Sequence, residues 1–448
     1  MGSKQLSPIR RLLSYLALSS QVISPALSLR VSVEVDVQIP LLASKGNDEQ
    51  APLKHQHELA RSCPSGHNFP HVVCIHQYGS LIHGDFEREV RNVLADMDTY
   101  PSTNAPGEST FGHTSDADFL VWESAAGADI LGLNPSVEFM FEVAERSHEA
   151  PIYSPSTNEL YFSRLQRGFL PQLVVDLNQD PPTLSERLAN PPIYAASGAR
   201  FHEGLIYFCT LGGNSSLNGH SFRPGIYTLD PTTGESKTVL NNYYGWYFNG
   251  VDDFDIDDEG QIWFTDNNYA RPVHVNTHAP KFGTGTYRFN LTSGLASLVE
   301  DSLIEPNGVA FSPDKKTLYL TDTGAGSSVV DPHVYPAPPI HVNSTGPRTI
   351  YAYDMVPSRK TLLNKRPIYR ALDYAPDGIK VSREGYLVTA TGHGIDVLTA
   401  EGEPLVRVQT NFTVINIAWA GKEGEELWAV GVGGVARVRW GLRGPVEE

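Results

Sequence analysis

The sequence predicts an all-β fold, a six-bladed β-propeller, on three observations: a short strand-turn-strand pattern recurs six times, the copies are spaced like four-stranded blades, and five of the six carry a carboxylate or amide at the same register. Each copy places a turn with Gly, Asn or a charged residue ahead of an apolar, aromatic-rich run. The runs are Asn158–Ser163, Glu203–Phe208, Glu259–Phe264, Lys316–Thr321, Glu384–Thr389 and Gly424–Ala429. Successive runs lie about 40 to 70 residues apart, the length of one blade.

Roughly ten residues before each run sits a second short element, at the distance expected of the first strand of a hairpin. These elements are Glu149–Pro151, Ser197–Ala199, Asp252–Phe254, Asn307–Val309, Asp377–Ile379 and Asn416–Ala418. Ile226–Asp230, Thr286–Asn290, Ile350–Asp354 and Ile395–Leu398 read as outer strands of the same blades. Turns of the Asp-Gly kind occur in any antiparallel protein. The blade-length period selects the propeller, because radial repetition protects the edges that so many short strands would otherwise expose. The propeller is expected over residues 119–445.

Upstream, Lys4, Arg10 and Arg11 precede a serine-interrupted apolar run from Leu12 to Leu29, so residues 1–29 read as a secretory signal. The alternative is a cytosolic or vesicular protein with a mildly apolar N-terminus. The run is too short and broken for a membrane span, so no integral membrane association is expected. Asn-x-Ser/Thr sites at Asn214, Asn290, Asn343 and Asn411 fit a secreted glycoprotein. Residues 30–118 form an N-terminal extension of unassigned role, with a helical pattern at Asp85–Met97 and a linker-like stretch at Tyr100–Ser115. Cys63 and Cys74 are spaced for a disulfide in an oxidising compartment. Cys209 alternates like a strand residue and reads as buried filler.

A formal charge of -17 excludes nucleic acid as a partner, since phosphate binding needs clustered Lys and Arg. No Gly-x-Ser-x-Gly elbow and no complete dinucleotide fingerprint occur, so a serine hydrolase or a nucleotide cofactor has no support. Asp253-x-Asp255-x-Asp257 fails as an EF-hand loop, because Asp258 stands where the turn Gly is required; an alternating strand explains it better.

In a propeller the innermost strands line a channel, so the residues that open them converge on the axis. Here those residues are Glu149, Ser197, Asp252, Asn307, Asp377 and Asn416. Three carboxylates and two amides make an oxygen-rich set suited to a hard divalent cation, with calcium preferred over zinc. The competing reading is that the Asn-Gly and Asp-Gly pairs only make turns.

Glu149 in His148–Pro151, Asn307 in Glu305–Asp314 and Asp377 in Pro376–Val381 resemble the three metal-ligand motifs of the gluconolactonase and senescence-marker-protein (regucalcin-like) family, which includes fungal lactonohydrolases. The resemblance covers about residues 140–435. It implies a six-bladed propeller, one divalent ion on Glu149, Asn307 and Asp377, and a small lactone as substrate. The family's Asn-Ser-Pro-Asn-Asp segment matches Asn249–Asp253, with Asp252 in place of its second Asn. The family's Glu-Gly-Pro is Glu-Ala-Pro here, a change expected to be mild. The implied roles are metal ligation by Glu149, Asn307 and Asp377, proton abstraction by Asp252 or Asp377, and substrate contact by Asn249. His393 is a further substrate-contact candidate near the channel mouth, as is His148 by position. The competing functions are a propeller that binds metal and ligand without efficient hydrolysis, and an esterase for a specialised metabolite.

Overall fold

The second strand of each repeat is buried along its length because neighbouring blades cover both its faces. Ile262–Asp266 and Leu387–Thr391 are buried at every position. The outermost strand is wetter, as Thr183–Arg187 shows, with no position fully buried. The computed structural model describes residues 109–213, 216–217 and 220–445, apart from single positions at 329, 332, 335, 344, 357 and 359, together with short stretches between 60 and 106. The helical pattern at 85–97 and the signal-like residues 1–29 lie largely or wholly outside the described residues.

Six four-stranded antiparallel blades follow one another around the axis. Blade 1 runs His148–Ser154, Glu159–Arg164, Gln172–Asp176 and Thr183–Arg187. Blades 2, 3 and 4 open with inner strands Ala196–His202, Val251–Ile256 and Pro306–Phe311. Blade 5 opens with Pro376–Val381 and blade 6 with Val414–Ala420. The third strands of blades 2 to 5 are the outer segments expected from the sequence. The ring is closed by the chain's own upstream residues, since Ser136–Glu142 supplies the outer strand of blade 6.

The sheet of blade 5 extends further outward through Phe119–Val121, Val72–Ile75 and Ala60–Arg61. Residues on both sides of position 119 therefore share one sheet, and residues 53–448 form one unit. The Cys63–Cys74 disulfide expected from the sequence is present in this added arm. Part of the linker-like stretch is ordered as a 3-10 helix, Ser109–Asp116.

The core is divided between the blades. Each of the six blade interfaces holds its own apolar cluster, such as Tyr153, Leu160 and Phe162 against Trp428 and Val430 between blades 1 and 6. Cys209 is fully buried in the cluster between blades 2 and 3, as its alternation predicted. Among the described residues no helix is long and apolar enough to cross a membrane.

Candidate active site

In every blade the pairing between the inner strand and its neighbour slips at or beside the candidate residue: the ladder skips Ser197, Asp252, Asn307 and Asp377, whereas Glu149 and Asn416 keep their partners Ser163 and Val430, with the slip directly after the first and directly before the second. The slips fall at Glu149/Ile152, Ser197, Val251/Phe254, Pro306/Val309, Pro376/Ile379 and Val414/Asn416. A β-bulge frees a residue from the ladder and re-aims its side chain, here at four of the candidate positions and next to the other two. The Asn-Gly and Asp-Gly pairs are therefore bulges inside strands and not turns.

Their glycines are needed for close packing between blades. A Cβ on Gly308 would lie 2.5 Å from the Asp377 carbonyl oxygen, one on Gly378 2.2 Å from Asn416 Oδ1, and one on Gly198 2.6 Å from the Asp252 carbonyl oxygen. Each inner strand thus presses on the next at the level of the candidate residues. In blade 1 the corresponding residue is Ala150, at φ 54°. An alanine holds that left-handed backbone at a cost of roughly 1–2 kcal/mol. The exchange of the family's glycine for alanine is less mild than the sequence suggested.

Hydroxyl groups fasten the same level. Thr265 donates to the Asn307 carbonyl at 2.7 Å, Thr321 to the Asp377 carbonyl at 3.0 Å and Ser197 to the Val251 carbonyl at 2.9 Å, each reaching from one blade to the next. Ser163 does the same to Ala196.

The side chains so held form an acidic cluster. Glu149, Asp252, Asn307 and Asp377 are all buried, with 5–7% of their surface exposed. Asn416 Nδ2 donates to Glu149 Oε2 at 3.0 Å, and Asn267 Nδ2 donates to Asp252 Oδ2 at 2.6 Å. Burial, then the charges of Asp377 and Asp252, push the Glu149 carboxyl well above its ordinary pKa. Burial, then Asp377 and Asp253, do the same to Asp252. Burial raises Asp377 to about 8, with the Asn307 amide beside it acting in the opposite sense. Below this level Arg200 and Lys380 each approach the Asp253 carboxylate to 3.9 Å.

This arrangement fits an oxygen-ligated cation. Glu149 and Asp252 are buried and each feels the repulsion of the Asp377 carboxylate, and Asp377 Oδ1 is buried with no hydrogen-bond partner. Among the described residues no three His, Cys, Asp or Glu side chains are grouped as a ready metal site. The trio read from the sequence contains only two carboxylates, and its third donor is the amide of Asn307.

Asn249 sits where the chain enters the inner strand of blade 3. Its N–H donates to Asp266 Oδ2 at 3.1 Å and its Nδ2 to the Phe282 carbonyl at 3.1 Å, while its Oδ1 is buried without a partner. His393 lies apart from the carboxylates, lining a cavity of about 850 Å³ at the end of the channel where the inner strands begin. Ser147 and Thr413, just ahead of the inner strands of blades 1 and 6, line the same cavity. His148 is fully buried, bonded through Nδ1 to the Gly431 carbonyl at 2.8 Å, and burial lowers its pKa to about 4. It packs between blades and does not reach the channel mouth.

The profile of the SMP-30/gluconolactonase/LRE-like region matches residues 148–331 and 340–431. The chain belongs to this family. A lactonohydrolase of Aspergillus oryzae, oryL, is 67% identical over 387 residues, covering 86% of this chain and 88% of its own length. A second from the same organism, oryH, is 40% identical, covering 94% and 100%. The solved gluconolactonase of Xanthomonas campestris shares the fold with a TM-score of 0.57 at 22% identity, covering 71% of this chain and 93% of its own. The family's propeller is the fold described above, with the motifs at Glu149, Asn307 and Asp377 on the inner strands of blades 1, 4 and 5.

Sequence reasoning missed several members of this site. The inter-blade hydroxyls stand at the end of the repeat, in Phe162-Ser163, Phe264-Thr265 and Leu320-Thr321, so their recurrence could have marked them. Asn267, the partner of Asp252, carries no such signal. Arg407 is fully buried in blade 5 between Asp373 and Asp396, a group visible only once the strands are assembled.

Proposed function

We propose that this chain hydrolyses a small lactone in a cation-dependent reaction at the axial acidic cluster, and that it is secreted. The observation that carries the reading is the convergence of Glu149, Asp252, Asn307 and Asp377 at the bulged level of four inner strands, with an unpartnered Asp377 oxygen among them. The A. oryzae lactonohydrolases support lactone hydrolysis, and the regucalcin of Agrobacterium tumefaciens, a calcium-binding protein sharing the fold at a TM-score of 0.51 and 14% identity, supports calcium as the ion to try first. The Cys63–Cys74 bridge supports an oxidising compartment.

Glu149, Asn307 and Asp377 would hold the cation, which when bound supplies Lewis acidity to polarise the lactone carbonyl. The chain's own residues provide the rest. Asp252, held by Asn267 and buried beside Asp377, is placed to take a proton from the attacking water. The unpartnered Oδ1 of Asn249 accepts a substrate hydroxyl. His393 contributes to substrate contact at the cavity wall. The buried surroundings exclude bulk water and strengthen each of these interactions.

Asp252→Asn tests the assignment, because it keeps the shape, restores the residue typical of the family and removes the base. Base uptake during hydrolysis of a γ- and a δ-lactone should show kcat falling by ~10²-fold or more with KM little changed. Undiminished kcat would remove Asp252 from the mechanism. Failure of the unmodified protein to hydrolyse any lactone would remove the function.

A further inference from the structure

The cavity over the channel mouth is larger than a compact polyol lactone needs. Its volume, about 850 Å³, lies towards the upper end of the roughly 300–1,000 Å³ that small-molecule pockets span. Its wall is mixed, with an apolar part among polar side chains: Leu165, Val273, Ile340 and Phe412 from blades 1, 3, 4 and 6 face it, and Phe139 on the closing strand stands 49% exposed beside Phe412, ring centroids 6.0 Å apart. A sugar-derived lactone would leave the apolar part of that wall in contact with water or with hydroxyl groups.

The charge on this wall is opposite in sign to that of the chain. The protein carries -17 overall, yet two arginines, Arg146 and Arg167, line the cavity with one acid, Glu145. Arg146, Arg167 and His274 are exposed, and Glu145 meets Arg146 through its carbonyl oxygen at 3.4 Å. Arginines and apolar side chains thus stand together at the end of the channel where the inner strands begin, the strands that carry the acidic cluster. An anion would be attracted at the rim even though the protein as a whole repels it.

We infer that the substrate is an amphipathic acid lactone: a lactone ring carrying an aliphatic or aryl chain and a free carboxylate. The inference rests on the lactonase reading and specifies its substrate class. The chain lies on the apolar wall, the carboxylate meets Arg146 and Arg167, and the ring reaches the axial cluster. Hydrolysis adds one water across the acyl–oxygen bond, giving a hydroxy dicarboxylate. The reaction consuming this product must act on a dicarboxylate with an apolar chain.

The test is kcat/KM for four lactones: δ-gluconolactone, an unsubstituted γ-lactone carboxylic acid, a γ-lactone with an alkyl chain only, and one with both chain and carboxylate. The last should be preferred, with a gain of roughly threefold to fourfold per methylene over the first few carbons. The double variant Arg146→Ala/Arg167→Ala should lose roughly tenfold on the two acids and leave the neutral alkyl lactone unchanged. If δ-gluconolactone is the best of the four, or the double variant affects acid and neutral substrates alike, the substrate class is wrong while the lactonase reading stands. If none of the four is hydrolysed, the lactonase reading fails instead. Calorimetry with octanoate and gluconate then judges the cavity alone: octanoate binding with no gluconate binding supports the ligand class, and the reverse or neither overturns it.

Discussion

Gly308→Ala puts the bulge argument to a quantitative test. The added Cβ would meet the Asp377 carbonyl oxygen at 2.5 Å, the Ile379 nitrogen at 2.9 Å and Ile379 Cγ2 at 3.0 Å, where ordinary contact begins at 3.4 Å. Two of these atoms are backbone and cannot rotate away, so the inner strand of blade 5 has to retreat by several tenths of an ångström. Overpacking of this kind costs about 1–3 kcal/mol. The retreat also lengthens the Thr321 bond to the Asp377 carbonyl, worth about 1 kcal/mol more. The expected loss is therefore about 3 kcal/mol, or on the order of 6 °C in Tm for a large domain. Because the moved residue is Asp377, calcium affinity should fall by at least ~10-fold, a 1.4 kcal/mol effect. Gly283→Ala is the control: its Cβ meets nothing within 4 Å, and its Tm should change by less than about 1 °C. Thermal melts and calcium titration of both variants decide the matter. A Gly308→Ala protein that melts with the unmodified protein and binds calcium equally well would refute the claim that blade contacts position the site.

Two further predictions concern stability. Arg407 has no exposed surface and is paired with Asp396 at 2.6 Å and with Asp373, so Arg407→Met leaves two buried carboxylates without their cation and should cost about 3–5 kcal/mol in denaturant unfolding; a loss under 1 kcal/mol would show that the pair is not structural. Arg187 grips both oxygens of Glu159 at 2.7 Å while Tyr161 donates at 2.8 Å; burial raises that carboxyl's pKa, but these bonds outweigh it and leave the value lowered. Its stabilisation is complete above the unfolded value near 4.5 and is lost as pH falls through the lower folded value. Glu159→Gln should flatten the acid limb of a Tm-against-pH curve, and an unaltered limb would contradict the assignment.

The fold was legible because a propeller repeats. Six copies of one hairpin, read against each other, gave the register of Glu149, Asp252, Asn307 and Asp377 before any contact was known. What stayed hidden lies between copies. Whether Asn-Gly at 307–308 is a turn or a bulge depends on the Asp377 backbone that packs on it, 69 residues further along. His148, beside a candidate ligand in sequence, is turned away into the interface with Gly431 of blade 6. Arg407 reads as an ordinary strand cation until Asp373 and Asp396 close around it. The cavity wall draws Leu165, Val273, Ile340 and Phe412 from four blades, so no local pattern announces it. The closing strand Ser136–Glu142 was likewise invisible as such, because its partner Gly434–Arg439 lies at the other end of the propeller.

A cation at Glu149, Asn307 and Asp377 is the central requirement for lactone hydrolysis proposed for this chain. The most direct measurement is the hydrolysis rate of purified protein treated with chelator, then returned to calcium, beside Glu149→Ala handled identically. The account predicts loss of nearly all activity on chelation, recovery on addition of calcium, and neither activity nor recovery in Glu149→Ala. Full activity in chelator, or a Glu149→Ala protein that recovers like the unmodified one, would contradict it.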